Sequence, residues 1–207
     1  MRKTFTLSGM IVALAVLGAT ISLRSQEHTQ RSAAELMEVL MWGTEPIGGP
    51  FTLIDHMGKT RTDTDFRGKF LLVYFGFTFC PDICPTDLQT ISSAIDQLGP
   101  AGDVVQPLFI TVDPKRDTPS HLSQYVSMFH PRLIGLTGDT YQIRQAADAY
   151  KVYFTAVSDG ADMTIDHSSF VYLLNQNGQY LGFFPPSTSV DQFVQVVREK
   201  IIRSPAD

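Results

Sequence analysis

The stretch Phe70-Leu-Leu-Val-Tyr-Phe-Gly-Phe-Thr-Phe-Cys-Pro-Asp-Ile-Cys-Pro85 decides the fold of this chain. Its first six residues are all apolar, which is typical of a strand that is buried on both faces. Over residues 85–98, apolar residues recur at helical spacing, and a proline is tolerated in the first turn of a helix. The two cysteines therefore lie between a central strand and the start of a helix, where α/β sheets commonly bind their ligands.

The rest of the chain continues the alternation of strands and helices. We predict further strands at residues 51–55, 104–112, 152–157, 170–174 and 179–184. We predict further helices from Thr118 to about residue 129, from Asp139 to about residue 150, and over residues 193–202 after a Ser189 cap. This order indicates an α/β fold of the thioredoxin type, in one domain over residues 47–207.

The composition fits a globular domain and gives no support for a nucleic-acid partner. Hydrophobic residues make up 43% of the 207 residues and charged residues 18%, as in folded proteins. The formal net charge is −5 and both signs are interspersed, whereas nucleic-acid binding favours a basic face. We therefore expect no nucleic acid among the partners of this protein.

Residues 1–24 are typical of a membrane anchor. Arg2 and Lys3 precede an apolar stretch of about 19 residues, a length that crosses a bilayer as a helix. The positive charge before this stretch predicts a cytoplasmic N-terminus and an outward-facing remainder, which suits a bacterial inner membrane and periplasm. A cleaved signal peptide is the alternative, and Gly18-Ala-Thr20 is its nearest approach to a cleavage site.

Residues 25–46 read as a polar spacer with a short helix. Met37 and Met41 are four residues apart in this helix and would lie on one face. Thioether sulfurs can bind copper, but a packing stripe is the favoured interpretation of the pair.

Cys80 and Cys84 are the only cysteines, and a disulfide that closes so short a loop stabilises little, so a chemical role is favoured. The start of a helix favours the thiolate, which both attacks disulfides and binds soft metals. The C-x3-C spacing lets both sulfurs face one ion. Iron–sulfur clusters and structural zinc sites each need about four protein ligands, whereas copper accepts fewer. Two sulfurs and one imidazole would make a suitable copper site.

A third ligand would come from the histidines, which are His28, His56, His121, His130 and His167. His167 has the best position, because it precedes the strand at 170–174 in a loop expected beside the cysteine helix. A histidine at such a place is also often only a hydrogen-bonding residue. Asp166 is a candidate for orienting the His167 imidazole.

Several ordered motifs carry a resemblance to a known family. They are Ile47-Gly-Gly-Pro-Phe51, Asp65-Phe-Arg-Gly-Lys69, Tyr74-Phe-Gly-Phe-Thr78, Cys80-Pro-Asp-Ile-Cys-Pro85, Val112-Asp-Pro-Lys-Arg-Asp-Thr-Pro119, Gly135-Leu-Thr-Gly138 and Asp166-His-Ser168. On these motifs the chain resembles the Sco/SenC family of copper-binding cytochrome c oxidase assembly factors over residues 47–202. Phe79 is a departure, because relatives commonly have histidine before the first cysteine.

The resemblance implies a thioredoxin-like fold with one copper ion per chain, held by Cys80, Cys84 and His167. It also implies one transmembrane helix, a copper donor protein, and delivery of copper or electrons to the dinuclear copper centre of cytochrome c oxidase subunit II. In this view the protein is a metallochaperone and not an enzyme. The alternative is a thiol–disulfide oxidoreductase that uses Cys80 and Cys84 as a redox-active pair to reduce the copper-ligand cysteines of that subunit.

The segment Asp113-Pro-Lys-Arg-Asp117 has two interpretations. An Asp–Arg ion pair that holds the loop before the next helix is favoured, and a docking surface for the partner is the alternative. A peroxidase-like thiol enzyme is disfavoured, because the cysteine loop itself carries no arginine and threonine set around a peroxidatic cysteine.

Overall fold

The computed structural model describes residues 47–159 and 162–203. The predicted anchor at 1–24, the spacer helix at 25–46 and the methionine pair lie outside the described residues. Among the helices of the described ranges, none has both the length and the apolar character needed to cross a bilayer.

The described residues form nine strands and four α-helices. The strands are β1 Thr52–Asp55, β2 Thr60–Thr62, β3 Phe70–Gly76, β4 Val105–Thr111, β5 Ile134–Thr137, β6 Phe154–Asp159, β7 Asp162–His167, β8 Val171–Leu174 and β9 Tyr180–Phe184. The α-helices are α1 Ile83–Leu98, α2 Pro119–Val126, α3 Thr140–Ala149 and α4 Val190–Arg203. Two short 3-10 helices, Asp63–Phe66 and Gly99–Val104, complete the set.

Strand β3 lies near the centre of a seven-stranded sheet with the order β2-β1-β5-β4-β3-β8-β9. It runs parallel to β4 and antiparallel to β8, and β4 runs parallel to β5. All seven residues of β3 are buried, as the apolar run predicts. The cysteine segment therefore follows a strand that is paired along both of its edges.

The core covers both faces of this sheet. Along β3, side chains alternate between the faces, and Val73 and Phe75 pack in one cluster with Ile143 and Ala146 of α3. The predicted apolar face of α1 is buried and comprises Leu88, Ile91, Ile95 and Leu98. These contacts fix α1, and with it the second cysteine, against the sheet.

The helix caps agree with the sequence signals. The Thr118 side chain accepts a hydrogen bond from His121 N, and Asp139 with Gln142 forms a capping box at the start of α3. Helix α1 starts at Ile83, two residues before the predicted start, so Cys84 lies in its first turn. Helix α2 ends at Val126, earlier than predicted.

The strand predictions miss three strands and misplace the start of a fourth. Strands β2, β5 and β7 were not predicted, and β6 starts two residues after the predicted strand at 152–157. The predicted loop around His167 is instead the end of β7, which pairs with β6 in a separate two-stranded sheet. Strand β5 has only four residues and β2 only three, too few for a clear alternation in the sequence.

Candidate metal centre

Cys80 and Cys84 lie between the end of β3 and the first turn of α1. Both are free thiols; Cys84 is fully buried and Cys80 is half-buried. The Cys80 amide donates to the Phe77 carbonyl, which folds the loop back toward the strand. One sulfur therefore lies inside the domain and the other at its surface.

Gly76 allows the buried sulfur to come this close to the strand. A Cβ atom at Gly76 would lie 2.9 Å from Cys84 Sγ and 2.9 Å from a ring carbon of Phe109. Real Cβ contacts of this length are essentially never seen, so a larger residue would displace the thiol. Gly76, the last residue of β3, is therefore needed to make room for the Cys84 sulfur.

His167 brings an imidazole to the buried cysteine. Its Nε2 lies 3.5 Å from Cys84 Sγ, and its Nδ1 lies 3.1 Å from the Ser168 carbonyl oxygen. A carbonyl only accepts, so Nδ1 carries a hydrogen and Nε2 is the nitrogen that faces the sulfurs. In the neutral ring Nε2 offers a lone pair to a metal, and in the protonated ring it donates to a thiolate.

The surroundings of the ring fix its plane. Phe77 and Tyr74 contact the His167 imidazole edge-on, with centroid separations of 5.8 and 6.5 Å.

The proposal that Asp166 orients the imidazole is wrong in this structure. Asp166 is exposed and is the strand neighbour of His167, so its side chain points to the opposite face of β7. The Ser168 carbonyl takes that role.

The two thiols have unequal acidities. A hydrogen bond from Cys84, with a smaller contribution from His167, lowers the pKa of Cys80 well below its ordinary value. The same bond and burial raise the pKa of Cys84. One proton is therefore shared by the pair, with Cys80 as the thiolate and Cys84 as the thiol.

A buried tyrosine and a buried carboxyl adjoin Cys84. Burial raises the pKa of Tyr74, with smaller contributions from the neighbouring Cys84 and Asp87. Burial also raises the pKa of Asp87. The Tyr74 hydroxyl and Asp87 Oδ2 have no hydrogen-bond partner of good geometry in the described part of the chain. Sequence analysis did not identify this pair, because a tyrosine in a buried strand reads as core.

The cysteine loop is tied to β4 by a residue that sequence analysis also missed. Asp117 is fully buried and accepts from Thr78 N at 3.0 Å, Thr78 Oγ1 at 2.5 Å and Thr111 Oγ1 at 2.6 Å. The favoured ion pair in this segment, Arg116 with Asp113, is confirmed. The only signal for Asp117 in the sequence is its place directly before Thr118, the capping residue of α2.

The departure at Phe79 lies on the surface beside Cys80. Phe79 is 53% exposed, and its ring stacks on the His121 imidazole at a centroid distance of 5.3 Å. The Arg116 guanidinium lies 4.8 Å from the centre of the Phe79 ring. His121 Nε2 contacts Thr78 Oγ1 at 2.9 Å, so this imidazole supports the loop from outside.

The other described histidines have partners away from the cysteines. His56 Nδ1 accepts from Gly135 N, and His130 faces Asp96 at 3.5 Å. Among the histidines at described positions, His167 alone has a ring nitrogen within hydrogen-bonding distance of a cysteine sulfur. His28 lies outside the described residues.

The separation of sulfur and imidazole fits metal coordination. As it stands, no group of three His, Cys, Asp or Glu side chains in the described ranges is arranged so that it could hold a metal ion. However, bonds of about 2.3 Å to sulfur and about 2.0 Å to nitrogen at a tetrahedral angle place these ligand atoms about 3.5 Å apart. Cys84 Sγ and His167 Nε2 are 3.5 Å apart.

The fold and the site define a thioredoxin-like protein with a pair of free thiols and an imidazole at the end of its central strand. The sequence model of the SCO1/SenC family matches residues 41–202. The chain therefore belongs to the SCO1/SenC family.

Relatives and solved structures agree with this assignment. The mitochondrial SCO2 homolog of Bos taurus is 40% identical over 95% of this chain and 74% of its own. The SCO2-like protein of Rickettsia prowazekii is 43% identical over 74% of this chain and 77% of its own. The copper-bound crystal structure of Arabidopsis thaliana ScoI matches with a TM-score of 0.74 and 41% identity, over 76% of this chain and 99% of that one. Copper-bound yeast Sco1 matches with a TM-score of 0.70, 39% identity and coverages of 77% and 90%. The predicted α/β thioredoxin-like fold is confirmed.

Proposed function

We propose that this chain binds one copper ion through Cys80, Cys84 and His167. The observation that carries the proposal is the contact of 3.5 Å between Cys84 Sγ and His167 Nε2 beside a second free thiol. Two soft sulfurs and one imidazole form a donor set that favours copper over magnesium or calcium. The copper-bound Sco structures of Arabidopsis thaliana, Bradyrhizobium japonicum and yeast support the choice of metal.

The copper would be cargo in the assembly of cytochrome c oxidase. In this role the chain receives copper from a donor protein and delivers it to the dinuclear copper centre of oxidase subunit II. Family membership supports the role, and the half-exposed Cys80 sulfur suits it because a partner's ligand can reach that atom first. Cys84 is buried and would release the ion last.

The test is His167→Ala in the full-length chain, with His56→Ala as the matched control. Loss of the imidazole should abolish tight Cu(II) binding and oxidase assembly, while Cys80 and Cys84 remain reducible. His56 lies in the turn between β1 and β2, so its loss should change neither. Oxidase assembly that survives in His167→Ala would contradict copper delivery and favour the reductase role. Cys80→Ser or Cys84→Ser with undiminished copper affinity would contradict the three-ligand site.

A thiol–disulfide oxidoreductase is the second candidate, and the lowered pKa of Cys80 favours it. The Cys80 thiolate would attack a disulfide of the partner, forming a mixed disulfide and releasing one partner thiolate, which takes up a proton. Cys84 would lose its proton and attack Cys80, forming the Cys80–Cys84 disulfide and releasing the second partner thiolate. The partner is then reduced and this chain oxidised by two electrons. Activity of His167→Ala on a disulfide-bonded subunit II fragment, without copper, would identify this role.

The N-terminal segment would anchor the copper domain to a membrane. We propose that residues 1–24 span the bacterial inner membrane once, with residues 47–207 in the periplasm. A reporter enzyme that is active only in the periplasm, fused after Asp207, should be active, and the chain should resist extraction by alkaline carbonate. Release by carbonate would favour a cleaved signal peptide instead.

A further inference from the structure

The His167 hairpin, formed by β6 and β7, is attached to the domain differently from the cysteines. Its two strands pair with each other and form a sheet separate from the seven-stranded one. A two-stranded hairpin alone is only marginally stable in water. The position of the His167 imidazole therefore depends on side chains that fasten this hairpin to the rest of the domain.

Phe154 is one of two hairpin residues, with Ile165, that pack against the main core, and it lies opposite His167. The two residues are direct cross-strand partners in the hairpin. Side chains at directly opposed positions lie on the same face, with Cβ atoms about 5 Å apart. Phe154 is half-buried and packs against the main core. A contact that holds the Phe154 ring therefore also holds the backbone opposite His167.

Arg144 of α3 makes such a contact. Its guanidinium carbon lies 3.8 Å from the centre of the Phe154 ring. Helix α3 is itself anchored in the core by three buried residues, Ile143, Ala146 and Ala147. A planar guanidinium stacked on an aromatic face adds dispersion to the cation–π attraction, and a lysine ammonium reproduces only part of this.

We propose that Arg144 is a positioning residue for the copper site. It clamps Phe154 to α3 and so keeps the strand that carries His167 beside Cys80 and Cys84. This inference rests on the proposed function, because it assigns Arg144 a role through His167 as a ligand. Tyr74 and Phe77 contact the imidazole ring itself, whereas Arg144 contacts Phe154 of β6, the strand that pairs with the end of β7.

The first measurement is hydrogen exchange on the full-length protein without copper. Arg144→Gln removes the cation and keeps much of the side-chain length, and Arg144→Lys keeps the cation. Arg198→Gln, at an exposed position of α4, is the control for loss of one positive charge. Amides of β6 and β7 should exchange about three- to tenfold faster in Arg144→Gln, with Arg144→Lys intermediate. Amides of β3 should be unchanged in all variants.

The second measurement is Cu(II) affinity by competition with a chelator, together with the thiolate-to-copper absorption band. Arg144→Gln should bind about three- to tenfold more weakly, mainly through faster dissociation, and Arg198→Gln should match the wild type. Unchanged hairpin exchange in Arg144→Gln would overturn the clamp. Faster exchange with unchanged copper affinity would overturn it as well, because the imidazole would then not depend on the hairpin.

The two proposals fail in distinguishable ways. If His167→Ala retains tight Cu(II) binding, the three-ligand site is wrong, whatever the exchange data show. If His167→Ala loses Cu(II) while Arg144→Gln behaves like Arg198→Gln, the copper site stands and the clamp is wrong.

Discussion

The cysteine segment and the His167 hairpin form the two halves of one site, but the domain holds them very differently. The segment between β3 and α1 follows a strand paired along both edges, and Asp117 binds its loop through three hydrogen bonds. The hairpin pairs only within its own small sheet and is fastened by side-chain contacts. The sulfurs are therefore fixed by the fold, and the imidazole is the ligand whose position is most easily changed.

This difference suits the proposed role of holding a copper ion and releasing it to a partner. A rigid pair of sulfurs preserves the soft-metal site, while a small displacement of the hairpin would remove one of three proposed ligands. Changes on the cysteine side should therefore cost both stability and binding, and changes on the hairpin side should mainly affect binding.

The largest effect on copper binding in this set is expected for Gly76→Ala on the cysteine side. A Cβ there would press on Cys84 Sγ and Phe109, so we expect about 1–3 kcal/mol of lost stability and about tenfold or more weaker copper binding. Denaturant unfolding and chelator competition measure the two quantities. In Gly49→Ala the new Cβ meets only Ala149 Cβ at 3.4 Å, so this control should stay close to wild type. Equal effects of the two substitutions would contradict the role of close approach.

Asp117→Ala should have the next largest effect. It removes the acceptor of three hydrogen bonds, so the buried Thr111 hydroxyl and the half-buried Thr78 donors lose that acceptor, which should cost roughly 3 kcal/mol of unfolding free energy. Copper binding should weaken as the loop loosens. Asp139→Ala removes only a helix cap and should cost about 1 kcal/mol without affecting copper. Wild-type copper affinity in Asp117→Ala would show that the cysteine loop keeps its shape without this anchor.

The rate at which iodoacetamide alkylates Cys80 should depend on pH differently from that of an ordinary thiol. An unperturbed thiol is only about 1% thiolate at pH 6.5, whereas the lowered pKa of Cys80 keeps it ionised there. The lower nucleophilicity of such a thiolate offsets this gain, so the expected signature is an alkylation rate that stays nearly constant between about pH 5 and pH 7, where the rate of the unfolded chain falls about tenfold per pH unit. His167→Ala should raise the pKa of Cys80, so the fall in rate should begin at a higher pH than in the wild type. A rate that rises only above pH 8, with or without His167, would contradict the shared proton.

Phe79→His should have the smallest effect of the set. The ring is exposed, so a histidine can replace it in the stack on His121 without disturbing the core. Contacts of Arg116 and His121 with this exposed ring are worth about 0.5–1 kcal/mol, so copper affinity should change by less than about threefold. A change greater than tenfold, measured by chelator competition, would show that position 79 belongs to the site.

Much of the fold could be predicted because local signals and tertiary structure agree along most of the chain. A few neighbouring residues are enough to predict several features of the fold. These features are the buried strand at residues 70–75, the helix caps at Thr118 and Asp139 and the apolar face of α1. Strand β6 was predicted with a shift of two residues, but β7 and its pairing with β6 were missed, because the described side chains of β7 are exposed or half-buried and of mixed polarity. Asp159-Gly160 is a turn signal that favours hairpins, and it would have suggested the second strand.

The sequence by itself determined the α/β class, the placement of Cys80 and Cys84 after a buried strand, and the resemblance that selected His167. These follow from periodicity, caps and motif spacing, which are properties of short segments. Only the tertiary structure decided that Ser168 rather than Asp166 orients the imidazole, that Asp117 anchors the cysteine loop, and that Arg144 faces Phe154. Each of these pairings depends on which face of a strand a side chain occupies or on contacts between residues distant in the chain. No local pattern encodes such contacts, because they form only when the sheet and the hairpin are in place.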